Sequence, residues 1–347
     1  MVAWPATAKG LAALGALAAG VAVGAAAERL ATRNLRRGEG PVARRDAGVR
    51  SVVTTDDGVE LAVVIDDPPE HDDDLPTVIF THGYALSLDS WPDQRGSLGR
   101  HARLVLWDQR GHGRSTKGPA GTSIDRLGRD LGCVLDAVAP SGPVVLVGHS
   151  MGGMTVMALA DQRPEIFGPR VRGVALLATS AGGIADVDLG LPQPVARLAH
   201  RMAPAIGAAL ESEGPVSALV ERARRASNDL GLLITRAYAF GSTPPTDGTR
   251  LVSDLIAGTP VDVLADLLPA LQAHDKREAL QALGSVELLV MVGDADLLTP
   301  PGHSIEIVRR TPTAELVILP GVGHMLTLEA PEQVNRHLLR LIERSTS

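Results

Sequence analysis

A serine between two glycines follows an apolar run near the middle of the chain. Residues 143–147 read Pro-Val-Val-Leu-Val, and residues 148–152 read Gly-His-Ser-Met-Gly. This is the G-x-S-x-G pattern of a sharp turn between a strand and a helix, in which a serine hydroxyl stands clear of the backbone. The glycines suit such a turn because the backbone is strained and crowded there. The pattern predicts that Ser150 is a nucleophile; the alternative interpretation is a serine that caps the following helix.

A nucleophilic serine needs a general base, and the base needs a carboxylate to orient it. His324 lies in a glycine-rich loop directly after the apolar residues 314–319. Asp294 and Asp296 follow the apolar residues 286–292. Because both loops come at the ends of predicted strands, the histidine and one aspartate can reach a serine on a neighbouring strand.

Two further motifs follow predicted strands in the first half of the chain. Residues 80–84 read Phe-Thr-His-Gly-Tyr, and residues 107–115 read Trp-Asp-Gln-Arg-Gly-His-Gly-Arg-Ser. With these motifs and the chain order serine, aspartate, histidine, residues 50–347 resemble the α/β-hydrolase fold enzymes of the esterase, lipase and non-haem haloperoxidase-like group. The resemblance implies an α/β fold: a mostly parallel sheet flanked by helices, with a helical cap inserted over the site.

The resemblance also implies roles for individual residues. The acid of the pattern G-x-x-D-x-x-x-P falls on Asp296, which leaves Asp294 as the weaker candidate. The family places an oxyanion hole at the backbone N–H groups that match Tyr84 and Met151. Two such donors would stabilise the negative charge that develops on a carbonyl oxygen during attack.

Other histidines and glycine-rich stretches do not indicate a second chemistry. His82, His112 and His149 lie within the family motifs, where they are expected to brace loops. No H-E-x-x-H pattern is present, and the glycine-rich residues 111–115 lack the spacing of a nucleotide-binding loop. The sequence therefore predicts neither a metal nor another cofactor.

The distribution of apolar residues predicts how the chain is organised. Strand and helix patterns alternate at residues 50–179 and 274–345, as in a parallel sheet covered by helices. The segment between them is rich in Ala, Leu and Pro and lacks strand-like alternation. The predicted parts are an N-terminal hydrophobic helix and basic linker (1–45), the first part of the core (46–183), a helical cap (184–270) and the second part of the core (271–347).

Aromatic residues are scarce, at 2% of the chain, so their positions carry information. Trp91 follows the predicted oxyanion loop, and Tyr238 and Phe240 lie in the predicted cap. One hypothesis is that these three side chains line an apolar acyl pocket together with Tyr84. Packing in the core is the alternative for each of them.

The N-terminus carries an uncharged stretch followed by basic residues. Residues 10–27 contain no charged side chain and are just long enough to cross a bilayer as a helix. Residues 1–50 have a net charge of +5, which leaves −12 for the rest of the chain. The basic block after the apolar stretch predicts a membrane anchor with a cytoplasmic catalytic domain. The alternative is export, with cleavage of a signal peptide after residues 25–27.

Taken together, these patterns predict a cofactor-free serine hydrolase. The expected substrate is a small-molecule ester or lipid with a medium or long acyl chain, because the predicted cap is apolar. The same residues could also support perhydrolase or haloperoxidase-like chemistry, or hydrolysis of a carbon–carbon bond. A non-catalytic binding protein on this fold is a further alternative. The acidic charge of residues 51–347 argues against a nucleic-acid partner.

Overall fold

A computed structural model of the protein describes residues 48–68, 75–119, 122–184, 235–241 and 245–346. The predicted membrane segment, residues 10–27, lies outside these ranges, as does the part of the predicted cap at 185–234. Within the described ranges, no helix is both long enough and apolar enough to span a membrane.

The described residues form one eight-stranded sheet with the strand order β1-β2-β4-β3-β5-β6-β7-β8. Strand β2 pairs antiparallel with both β1 and β4, and all other pairings are parallel. The strands are β1 (Val49–Thr54), β2 (Glu60–Asp66), β3 (Thr77–Thr81), β4 (Arg103–Trp107), β5 (Val144–His149), β6 (Val171–Leu177), β7 (Glu287–Gly293) and β8 (Glu315–Leu319). The predicted mostly parallel α/β sheet is thus confirmed.

Helices cover both faces of this sheet. The α-helices with full bounds are α1 (Pro92–Leu98), α2 (Ile124–Val138), α3 (Met151–Gln162), α4 (Thr246–Gly258), α5 (Val261–Gln272), α6 (Leu280–Leu283), α7 (Pro301–Arg310), α8 (Leu326–Glu329) and α9 (Pro331–Thr346). Residues 235–239 are also helical. Short 3₁₀ turns occupy Leu88–Ser90 and Pro164–Ile166.

The two faces of the sheet bury two separate hydrophobic clusters. Along β3, Ile79 points into a cluster with residues of α2 and α3. Its neighbours Val78 and Phe80 point into a second cluster with residues of α1 and α9. Side chains alternate between faces along a strand, so a strand buried on both faces reads as a continuous apolar run. This burial fixes the central strands β3 and β5, whose residues are all buried.

The carboxyl ends of the parallel strands meet at one edge of the sheet, which is where open α/β sheets bind ligands. Strand β5 ends at His149, directly before Ser150, and β3 ends directly before His82. The loops after β7 and β8 carry Asp296 and His324. The fold therefore brings together residues that are far apart in the sequence.

The described part of the predicted cap packs over this edge. Val263 and Leu267 of α5 share a hydrophobic cluster with Met151 and Met154 of α3. Phe240 and Val252 cluster with Leu86, Met325 and Leu328 from the core. The described part contains α4 and α5, and α5 ends at Gln272.

Candidate active site

Ser150 sits on a strained turn between β5 and α3. Its backbone angles are φ 53° and ψ −120°, a region that residues with a side chain rarely adopt. A Cβ on Gly148 would come 2.5 Å from the carbonyl oxygen of Gly152. A Cβ on Gly152 would collide with the carbonyl oxygen of Thr81 on β3. The elbow therefore requires glycine at both flanking positions, as the sequence pattern predicts.

The elbow is tied to strand β6 and to the residues directly after it by two hydrogen bonds. The N–H of Ser150 donates to the carbonyl oxygen of Leu177 over 2.9 Å. The hydroxyl of Thr179 donates to the carbonyl oxygen of Ser150 over 2.7 Å. Strain of this kind costs about 1–3 kcal/mol. The turn is stable only because the surrounding contacts offset that cost.

Asp296 and His324 form a buried pair close to the elbow. The Asp296 Oδ2 atom lies 2.9 Å from Nδ1 of His324. The other oxygen, Oδ1, accepts the backbone N–H groups of Leu298 and Thr299, each at 2.9 Å, and the Thr299 hydroxyl donates to Oδ2 over 2.9 Å. The carboxylate thus has a complete set of partners and a fixed orientation.

The same contacts keep Asp296 ionised. Burial by itself would raise the pKa of Asp296. Electrostatic attraction to His324 and the hydrogen bonds from His324 and Thr299 outweigh that effect, so the pKa lies below its usual value. An ionised carboxylate at this point favours a proton on Nδ1 of His324 and leaves Nε2 as a proton acceptor.

Asp294, the weaker candidate for the acid, makes a different contact from that of Asp296. Its side chain is exposed, and Oδ1 accepts the backbone N–H of Gly321 over 2.6 Å. Asp294 therefore braces the loop that carries His324, while Asp296 is the aspartate that contacts the imidazole.

The loop after β3 lies directly against the serine. A Cβ on Gly83 would come 3.2 Å from Cβ of Ser150. Within the described ranges, no acceptor binds the backbone N–H of Tyr84 or of Met151. Met151 is the first residue of α3, so its N–H has no partner inside the helix. Both amides of the predicted oxyanion hole are thus next to Ser150 without an internal partner.

Three buried histidines hold the surrounding loops. His82 Nε2 accepts the N–H of Gln109 at 3.0 Å, and His112 Nε2 accepts the N–H of Ala85 at 3.3 Å. Nε2 of His149 lies 3.0 Å from the carbonyl oxygen of His324. Each contact joins two loops at the carboxyl edge of the sheet.

Burial keeps these three imidazoles neutral. It lowers the pKa of His112 to about 4 and that of His149 to about 3. Burial, followed by repulsion from His112, brings the pKa of His82 well below its usual value. At neutral pH they therefore act as hydrogen-bonding groups without charge.

The oxyanion loop is also bonded to the helices above it. The hydroxyl of Tyr84 donates to the carbonyl oxygen of Leu264 on α5 over 2.6 Å. The hydroxyl of Thr259, between α4 and α5, donates to the carbonyl oxygen of Ala85 over 3.2 Å. The Tyr84 side chain thus links core and cap, and its burial raises the pKa of the phenol.

Ser150 and His324 line a cavity of about 280 Å³ beneath α4 and α5. None of the described residues on its wall is Asp, Glu, Lys or Arg. The apolar wall residues are Leu86, Met154, Ile184, Ala239, Val252, Ile256, Leu268, Leu271, Leu298 and Met325. An apolar wall with a few convergent polar groups at one end is typical of a site for small molecules.

The four aromatic residues of the acyl-pocket hypothesis lie in different places. Tyr84 lines the cavity, whereas Trp91, Tyr238 and Phe240 do not lie on its described wall. Trp91 is buried against Phe80, with 5.0 Å between ring centroids, and Phe240 is buried with Leu86 and Met325. The alternative of core packing therefore describes Trp91 and Phe240.

Sequence reasoning missed most of the cavity wall and one polar contact of the acid. Val252 and Ile256 of α4 are four residues apart, and Leu268 and Leu271 of α5 are three apart. These are spacings of one helix face, so the pattern was available in the sequence. Thr299 was visible only as the residue three positions after Asp296, where a hydroxyl can bond back to the carboxylate.

Comparison with known proteins identifies related sequences over most of the chain. A family model described as the alpha/beta hydrolase fold matches residues 76–331. The chain is 28% identical over 265 residues to a pimeloyl-[acyl-carrier protein] methyl ester esterase of Nitrosomonas europaea, which covers 74% of this chain and 92% of the esterase.

Two other relatives are matched over a smaller share of their own length. A bifunctional esterase/perhydrolase of Acinetobacter calcoaceticus is 39% identical over 114 residues, 33% of this chain and 40% of that protein. A dihydrolipoyllysine-residue acetyltransferase component of the acetoin cleaving system of Pseudomonas putida is 26% identical over 276 residues, 77% of this chain and 63% of that protein. In both cases the match spans less than two thirds of the relative.

Among solved structures, an esterase from Thermogutta terrifontis has a similar fold. The TM-score is 0.64 at 22% sequence identity, and the match covers 86% of this chain and 100% of the esterase chain. At this level of identity the likeness concerns the fold.

Thr299 generates a prediction about the acid. Thr299→Val keeps the shape of the side chain but removes the donor to Asp296 Oδ2. We expect kcat/KM for a hydrolysed ester to fall roughly tenfold, because a hydrogen bond to a charged group contributes about 1.5–3 kcal/mol. Steady-state kinetics on Thr299→Val and Thr299→Ser, which retains the hydroxyl, would check this. Equal activity of the two variants would contradict it.

Proposed function

Because the chain belongs to the alpha/beta hydrolase fold family, we propose that it is a serine hydrolase that cleaves carboxylic esters through an acyl-enzyme. The observation that carries this proposal is the arrangement around Ser150. The strained Ser150 and His324 line one apolar cavity, and Asp296 contacts His324 from behind. Two backbone amides beside the serine have no acceptor among the described residues. Nucleophile, base, orienting carboxylate and oxyanion donors are the parts that acyl transfer needs.

The proposed reaction has two halves. His324 removes the proton of Ser150 as its oxygen attacks the ester carbonyl, and Asp296 stabilises the imidazolium that forms. The N–H groups of Tyr84 and Met151 bind the oxyanion. His324 then donates its proton to the leaving alcohol. In the second half it activates water, which releases the acid and regenerates the serine.

The cavity wall supports a medium or long acyl chain. Each buried methylene contributes about 0.8 kcal/mol of transfer free energy, and the described wall is dominated by aliphatic side chains. A charged acyl group would find no opposite charge on that part of the wall. An uncharged, lipid-like acyl ester therefore fits the described wall better than a dicarboxylate.

Perhydrolysis is a second candidate function. It is favoured by the 39% identity over 114 residues with a protein named as both esterase and perhydrolase. In that reaction hydrogen peroxide would replace water as the acceptor of the acyl group from Ser150. The two functions use the same first half-reaction and differ only in the second.

Anchoring at a membrane through residues 10–27 is a further proposal. It is supported by the absence of charge in that stretch and by the net charge of +5 over residues 1–50. The positive flank after the stretch favours a cytoplasmic catalytic domain. A membrane position would bring the enzyme close to lipid-like esters.

The central prediction concerns Ser150. The full chain should hydrolyse p-nitrophenyl esters with an optimum at medium or long acyl chains, and Ser150→Ala should lose at least about 10⁴-fold in kcat. Product absorbance measured over a series of acyl lengths checks both statements. Parallel assays with hydrogen peroxide would detect peracid if perhydrolysis is the activity. A folded wild-type protein that turns over no ester and is not labelled by a fluorophosphonate would instead favour a binding protein.

The cavity generates a prediction about chain length. Leu271→Trp adds bulk to the wall and should shorten the preferred acyl chain, while hydrolysis of the acetate ester changes little. The matched control is Tyr238→Ala, because Tyr238 lies off the described wall. The measurement is kcat/KM across the acyl series. A profile that shifts in Tyr238→Ala but not in Leu271→Trp would show that the acyl chain occupies another space.

The anchor can be tested by fractionation and mass measurement. We expect the full chain to remain with membranes after alkaline extraction and to keep its intact mass. Leu14→Arg with Leu17→Arg should release it, since a charged residue at the centre of a helix costs about 2.5–3.5 kcal/mol of insertion free energy. A mature protein that lacks residues 1–27 would show export and signal cleavage.

A further inference from the structure

The loop that carries His324 is bound to the cap by one carboxylate. We propose that Glu329 is a positioning residue that locks this loop, residues 320–325, against residues 239–241 of the cap, here called the strap. The inference rests on the proposed function, because it assigns a role in placing the general base. Glu329 itself lies outside the described cavity wall and touches neither His324 nor Asp296 by a hydrogen bond.

The Glu329 carboxylate accepts backbone N–H groups from both segments. Oε2 accepts the N–H of Gly323 over 2.8 Å. Oε1 and Oε2 lie 3.1 and 3.0 Å from the N–H of Gly241. Gly323 is directly before His324, so one of these bonds holds the peptide next to the base. Hydrogen bonds to an ionised acceptor are about twice as strong as neutral ones.

The backbone of the strap is in direct contact with the backbone of the loop. A Cβ on Gly241 would collide with the carbonyl oxygen of Gly321 and come 2.9 Å from the nitrogen of Gly323. A Cβ on Gly323 would come 2.7 Å from Cα of Phe240. Only glycine fits at both positions, and this closeness brings the two N–H groups within reach of one carboxylate.

Further contacts make the strap part of the site. The N–H of Met325 donates to the carbonyl oxygen of Ala239 over 2.8 Å. Ala239 and Met325 both line the cavity, and Phe240 packs with Leu86 and Met325. A displacement of the strap would therefore move the peptide next to His324 and the cavity wall together.

The partners of the Glu329 oxygens are backbone amides. Among the described residues, Glu329 forms no ion pair with Lys, Arg or His. Within those residues, replacing the carboxylate therefore leaves no buried positive charge without a partner. The effect of a substitution should thus report on the two amides and on the loop that they belong to.

Glu329→Gln in the full chain tests the role. The amide NH₂ group of Gln would face one of the N–H donors and break that part of the clamp. We expect kcat to fall about 10- to 100-fold, since a small misplacement of a catalytic group can cost about 10²-fold, while KM changes less than about threefold. Glu329→Asp, which keeps the carboxylate, should retain more of the kcat than Glu329→Gln. Glu332→Gln, on the exposed first turn of α9, is the matched control.

Hydrogen exchange supplies a readout that does not depend on activity. Peptides that contain Gly241 and Gly323 should exchange at least about tenfold faster in Glu329→Gln, because opening frees the bonded amides. Exchange in the central strands β3 and β5 should stay as in the wild type. Faster exchange everywhere would show general destabilisation and would overturn the local role.

The two proposals fail in different ways. An unchanged kcat in Glu329→Gln, or a rise in KM with kcat preserved, would overturn the positioning role while the serine hydrolase stands. Unchanged exchange at Gly323 would overturn the clamp itself, whatever the activity. A wild-type chain without turnover or labelling of Ser150 would overturn the proposed function.

Discussion

The strained backbone of Ser150 is the constraint on which the rest of the site depends. The serine is held at positive φ where three backbone segments meet, and neither Gly148 nor Gly152 has space for a Cβ. Strain of this kind survives only in a rigid frame. Here the frame is the pair of central strands, buried on both faces between two hydrophobic clusters. The apolar core thus supports a local conformation that is unfavourable by itself.

At the carboxyl edge of the sheet, the ionised Asp296 lies among several neutral histidines. Asp296 stays ionised because attraction to His324 and hydrogen bonds outweigh its burial, whereas His112 and His149 lose their charge through burial. Neutral imidazoles can join loops without adding a positive charge beside His324. The Asp296–His324 pair is therefore the ionised contact of the site, whereas the neutral histidines hold the loops in place through hydrogen bonds.

The parts of this architecture that short motifs encode could be predicted from the sequence. The strand–turn–helix around Ser150 follows from local spacing, and the choice of Asp296 over Asp294 follows from the resemblance to the family. The wall of the cavity could not be predicted from the rarity of aromatic residues, because composition does not tell which way a side chain points. Trp91 packs against Phe80, and part of the wall is built from aliphatic side chains of α4 and α5. The role of Glu329 could not be predicted because its partner Gly241 is 88 residues away and only the fold brings the two together. Thr299 was indicated only by its spacing from Asp296.

The charge-free character of the described cavity wall has a consequence for the end of the catalytic cycle. Ester cleavage at neutral pH converts an uncharged substrate into a carboxylate anion. An anion in an apolar enclosure loses most of its hydration without gaining a counter-ion, and it also lies close to ionised Asp296. In the proposed reaction, the wall that would hold the acyl chain before cleavage would therefore solvate the acid product poorly. Release of the product would be favoured by the proposed chemistry itself, which would oppose inhibition by accumulated acid.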